Sequence, residues 1–205
     1  SQSNNTVTMR LIATAPSGSG TSADPYLIAN LTNLSWLTQN SDKWDKYYKQ
    51  TANIDASATQ YWDDADDDSD GDNYNDTNDG ASTGNDEGFS PIGNSTTKFT
   101  GTYDGDGYII DELKINRATT SIIGLFGYTT SALIIDLGMT NVNIIGENHV
   151  GGLIGHNSLS TLNNCYTTGS VTSNSYNIGG LIGLNAQSPL NNCYSTSSVT
   201  GLYKT

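Results

Sequence analysis

Toward its C-terminal end the chain writes one unit nearly three times over. Gly124-Leu125-Phe126-Gly127 is answered by Gly152-Leu153-Ile154-Gly155 and again by Gly180-Leu181-Ile182-Gly183, a spacing of 28 residues from 127 to 155 to 183. Leu162-Asn163-Asn164-Cys165-Tyr166 returns at the same spacing as Leu190-Asn191-Asn192-Cys193-Tyr194, and Ser170-Val171-Thr172 as Ser198-Val199-Thr200. A single unit of this kind cannot bury its own apolar residues, so neighbours must stack. Constant spacing predicts a register that never slips.

Helical repeats of similar length would place apolar residues three and four apart. Here Val150, Leu153 and Ile154, then Ile178, Leu181 and Ile182, form short runs cut by Gly pairs and Asn-Ser clusters, the pattern of short strands joined by tight turns. Each repeat reads as one coil, with equivalent residues stacked about 4.8 Å apart. The expected fold is all-β: a right-handed parallel β-helix, the hand following from crossover preference. Stacking predicts an amide ladder from Asn164 to Asn192 and a ring stack from Tyr166 to Tyr194. The glycines at 151, 152, 155, 179, 180 and 183 are expected to supply corners of positive φ or room for close packing.

These repeats resemble the GLUG motif of bacterial surface and secreted proteins. Asp24 to Ile28, Asn53 to Ser57, Phe89 to Gly93 and Phe99 to Gly105 are similar to the segments that precede the repeats in such proteins, so the resemblance covers roughly residues 16 to 200, interrupted between Trp62 and Gly88. It implies an extracellular β-solenoid in an adhesin, one that holds cells to surfaces or to one another.

The chain is read as one solenoid domain over 1–205. It divides into a leading strand (1–15), a cap and first coil (16–62), an acidic insertion (63–88) and the remaining coils (89–205). Leu31, Leu34, Trp36 and Leu37 recur at helical spacing behind Asn30, which predicts a capping helix at about 31–40. Tyr47 to Ile54 reads as a strand. Trp44, Tyr47 and Tyr48 read as anchors for the cap, with a platform for sugar rings as the alternative. The last coil has no visible closure, which leaves it to further repeats of a longer chain or to another copy.

Net charge is −13, with only 8 Lys and Arg, so neither nucleic acid nor an anionic membrane is an expected partner. No apolar run is long enough to span a bilayer. Cys165 and Cys193 hold the same place in adjacent coils; free buried thiols are the primary reading, a tight disulfide the other.

The insertion carries a more specific pattern. Calcium takes six to eight hard oxygen ligands, which a short loop supplies by alternating carboxylates with one carbonyl. Counting from Asp68 puts Asp68, Asp70, Asp72, Tyr74, Asp76 and Asp79 in the ligand slots, with Asn73 at the turn. Asp64, Asp66 and Asn75, sharing Asp68 and Asp72, mark a second ion. The loop resembles those of thrombospondin type 3 repeats and dockerin modules. Asp104-Gly105-Asp106-Gly107 reads as a turn.

No catalytic set emerges. His149 and His156 read as surface turn residues, and a hydrolase pairing of Asp111 and Glu112 with Asp136 has no second support. The expected role is a calcium-binding, secreted or surface-exposed adhesive solenoid. A self-assembling filament subunit, a glycan-binding module with Tyr128, Tyr166 and Tyr194 on one face, and a polysaccharide-processing enzyme stand as alternatives.

Overall fold

The computed structural model describes residues 13–62 and 87–201. Within them the chain winds as a parallel β-solenoid. Six strands form one wall in the order Tyr26–Ile28, Tyr47–Gln50, Thr102–Asp104, Leu133–Ile135, Thr161–Asn163 and Leu190–Asn191. A second wall runs through Ile54–Asp55, Ile109–Asp111, Gly138–Gly146, Tyr166–Ser173 and Tyr194–Ser195, joined by Lys114–Arg117 and Ser198–Gly201. Phe126–Thr130, Ile154–Ser158 and Ile182–Ala186 make the third, and Val150–Gly151 pairs with Ile178–Gly179. Every strand-to-strand pairing among these is parallel.

The core follows from stacking like on like. Tyr48, Tyr103, Ile134 and Leu162 lie in one inward row and are fully buried, with the Tyr48 and Tyr103 rings 6.4 Å apart. Phe99 packs on Phe126 at 4.9 Å, while Val142, Ile144, Val150, Leu153 and Ile154 fill the later coils. Leu190, next in the Leu162 row, is 43% exposed because no described residue lies over it.

The helix forms over Leu31–Gln39, and Asn30 caps it by accepting the Asn33 N–H at 3.0 Å. Its buried face holds Leu31, Leu34 and Leu37. Trp44 anchors it by donating from Nε1 to the Leu37 carbonyl at 2.8 Å, and the Tyr48 hydroxyl donates to the Lys43 carbonyl. Both rings are buried, so the anchoring role holds for them, and only Tyr47 is exposed.

The structure bears on four expectations. First, the strand expected from Tyr47 to Ile54 is broken by a corner at Thr51 to Asn53. Second, the leading strand expected over 1–15 lies almost wholly outside the described residues; of its end, Thr14 bonds the helix, its N–H donating to the Thr32 carbonyl.

Third, the register does slip. Phe126 pairs with Ile154, 28 residues on, but Ile123 bridges Val150, 27 residues on, because Gly151-Gly152 adds a residue to the second coil. A bulge restores the count: Met139 pairs with Thr167, yet Val142 pairs with Gly169. The extra residue, Asn141, sits at φ 52° and donates its N–H to Thr168 Oγ1.

Fourth, of the two roles expected for the motif glycines, close packing is the one they fill, not positive-φ corners. Those corners fall on Ser131, Leu159 and Gln187, on Asp136, Asn164 and Asn192, and on His149 and Asn177. The motif glycines permit backbone contact instead: a Cβ on Gly155 would stand 2.6 Å from Ile123 N, and one on Gly183 2.5 Å from Val150 N.

Candidate functional site

Asp64, Asp66, Asp68, Asp70, Asp72, Tyr74, Asn75, Asp76 and Asp79 all lie outside the described residues. What the structure does place is the neck from which they spring. The Gly88 N–H donates to the Trp62 carbonyl at 2.9 Å, so both ends of the acidic stretch meet at one point on the column. The Trp62 ring stacks on Phe89 at 6.1 Å, which is fully buried.

Two cations hold this neck. Arg117 Nη2 donates to Ser90 Oγ at 3.0 Å and to the Gly88 carbonyl, its Nε donates to the Phe89 carbonyl, and its Nη1 lies 3.7 Å from Glu87. Lys114 reaches the Gln60 carbonyl with Nζ while its own N–H donates to Thr59 Oγ1. From the sequence Arg117 has no assigned role. Its distance from Ser90, 27 residues, resembles one turn of the repeat and was the available clue.

Ladders cover the remaining faces. Asn164 Nδ2 donates to Asp136 Oδ1 at 2.7 Å, and Asn192 Nδ2 to Asn164 Oδ1 at 3.2 Å, as expected of stacked amides. Tyr166 and Tyr194 stack at 5.2 Å and 5°. A further ladder runs inside: Thr129 Oγ1 donates to Asn157 Oδ1, and Asn157 Nδ2 to Asn185 Oδ1. The signal for it was an Asn two residues past each later Gly-Leu-Ile-Gly.

The glycan row does not assemble. Tyr128 stands in the third wall, stacked 4.2 Å from His156 with Lys98 over its other side, away from the Tyr166–Tyr194 pair.

His149 occupies a positive-φ corner shared with Asn177 and lies 5.4 Å from His156. Burial holds both imidazoles below their ordinary value, and His149 lowers His156 further. Asp111 accepts from Thr140 and Asn141, whereas Asp136 accepts from Asn164, so these carboxylates serve different rungs. Asp106 N–H donates to Asp104 Oδ1 in a turn that Lys49 bridges at 3.1 Å. Among the described residues no group of three or more His, Cys, Asp or Glu is placed to hold a metal, and no helix is long and apolar enough to cross a membrane.

Residues 146–172 match the GLUG motif. Halomucin of Haloquadratum walsbyi is 37% identical over 164 residues, which is 77% of this chain but 2% of halomucin's length. A solved structure of a Bacteroides ovatus protein provisionally named an immunoglobulin A1 protease is similar at a TM-score of 0.40 and 14% identity, covering 92% of this chain and 80% of that one; a likeness of that size bears on neither the fold nor the activity of this chain. With its motif glycines set backbone against backbone and each coil bonded to the next, the chain is a β-solenoid that carries the GLUG motif.

Proposed function

We propose that this chain is a stiff structural segment of an exported, surface-associated protein, a column that spaces or holds other parts and contributes to adhesion by position rather than by catalysis. The observation that carries the reading is the repetition of polar rungs. Thr129, Asn157 and Asn185 bond in series, as do Asp136, Asn164 and Asn192, so bending the column means breaking bonds in several coils together. The GLUG match and the likeness to a protein named as a mucin support the location. The test pairs small-angle scattering of the purified chain with antibody labelling of intact source cells. A flexible scattering profile removes the column, and labelling only after permeabilisation removes the location.

The same proposal assigns Ca2+ to Asp68, Asp70, Asp72, Tyr74, Asp76 and Asp79, with Asp64, Asp66 and Asn75 serving a second ion. What supports it is the ligand spacing in the sequence. Titration calorimetry with calcium, repeated on D68A/D72A, is the measurement. Heat that is absent, or unchanged in the variant, ends the assignment and leaves the column reading standing.

A further inference from the structure

The repeat register brings two thiols together. Leu162 pairs with Leu190 and Asn163 with Asn191 on one side, and Tyr166 with Tyr194 on the other, so Cys165 and Cys193 face each other across one coil. Backbone bonds bracket them: the Asn164 N–H donates to the Asn191 carbonyl at 2.9 Å, and the Tyr194 N–H to the Cys165 carbonyl at 3.1 Å. Neighbouring strands in such a pairing stand about 4.8 Å apart, inside the Cα range of disulfides, about 4.4–6.8 Å.

Both side chains also point the same way. Cys165 Sγ donates to the Asn163 carbonyl and Cys193 Sγ to the Asn191 carbonyl, each at 3.2 Å. Cys165 is fully buried, while Cys193 is partly open. No dissolved oxidant can therefore reach Cys165 directly, and the neighbouring Sγ of Cys193 is its route to reaction.

We propose that Cys165 and Cys193 are a dithiol built to close into a covalent rung that staples one coil to the next. With a small disulfide as the oxidant, the Cys193 thiolate attacks one of its sulfurs and forms a mixed disulfide, releasing the first small thiol. Cys165 then loses its proton and attacks Cys193 Sγ, releasing the second small thiol. Two protein thiols and one small disulfide thus become one protein disulfide and two small thiols, a two-electron exchange. Burial pushes the Cys165 thiol up to about 12, so the second step is the slow one. The closed ring spans one coil, from 165 to 193. The proposal stands apart from the surface location, although an exported protein would meet such oxidants.

The experiment incubates the folded, purified chain with oxidised glutathione and follows intact mass, non-reducing peptide maps and amide exchange. The expected product is a monomer lighter by two hydrogens, with residues 165 and 193 in one linked peptide. Exchange at the Tyr194 amide should slow by about tenfold. C193S should leave Cys165 inert to thiol reagents in the folded chain and reactive after unfolding, which checks that the route runs through Cys193. A lasting glutathione adduct on Cys193, a dimer linked through it, or closure only in denaturant would each overturn the proposal.

Discussion

The Trp62 carbonyl accepts the Gly88 N–H at 2.9 Å, so the residues that flank the acidic stretch touch although 26 positions separate them (62 to 88). Trp62 also stacks on Phe89, and Arg117 binds the outgoing strand through Ser90 and the Gly88 carbonyl. The column is thereby closed beneath the insertion.

That closure predicts tolerance. Replacing residues 63–86 by a short Asn-Gly turn should leave the circular dichroism of the solenoid unchanged. In chelator it should raise unfolding free energy by about 1–2 kcal/mol, the entropy of closing a shorter loop. Loss of the β signal would mean that the insertion holds the coils together.

Position along the column should set the cost of a cavity. Leu162 is fully buried and Leu190, its partner in the next coil, is 43% exposed. Leu162→Ala is expected to cost about 2–5 kcal/mol in urea unfolding, and Leu190→Ala less than half of that. Equal costs would show that the outer coil is covered in solution.

Leu159 invites an improvement. It holds φ 54° at a corner shared with Ser131 and Gln187, and its side chain is 56% exposed. Left-handed backbone strains a leucine far more than an asparagine, so Leu159→Asn should stabilise the chain by about 1 kcal/mol. A fall in the unfolding midpoint would contradict the corner geometry.

Acid should weaken the fold through His149 and His156. Burial lowers both folded values below 6.5, so under acid the unfolded chain binds these protons first. Their effect is absent at neutral pH. Stability is lost as pH falls below about 6.5 and stops falling once the folded imidazoles also protonate. A double variant, His149→Asn with His156→Leu, copies the residues of the next coil and should flatten that limb in urea midpoints taken across the range.

The fold was legible because repetition is written in the residues themselves: identical Asn, Tyr and Leu at one spacing can mean only stacked coils. The Asn30 cap and the helix behind it were equally plain, since both depend on local spacing. What escaped depends on contacts between coils. Gly155 and Gly183 were open to either a turn or a close approach, and only the nearness of Ile123 N and Val150 N decides for the second. Corner conformations fell on Leu159 and Ser131, which carry no local signal for it. Arg117 was obscure because its partners, Glu87 to Ser90, come from the preceding turn of the chain. Of the acidic stretch the structure describes only the neck, and the bond between Gly88 and Trp62 is not written in an aspartate pattern.

No Asp, Glu, Lys or Arg stands between Glu147 and Lys204, and the rungs that join the later coils are amides and hydroxyls. Ionic strength has little purchase on such bonds. At molar salt the reach of a charge shrinks to about 3 Å, which weakens surface ion pairs but leaves neutral rungs alone. From dilute water to brine these coils should keep one length and one stiffness, while the surface pairs Lys43–Asp42, Lys46–Asp45 and Lys49–Asp106 near the helix end loosen.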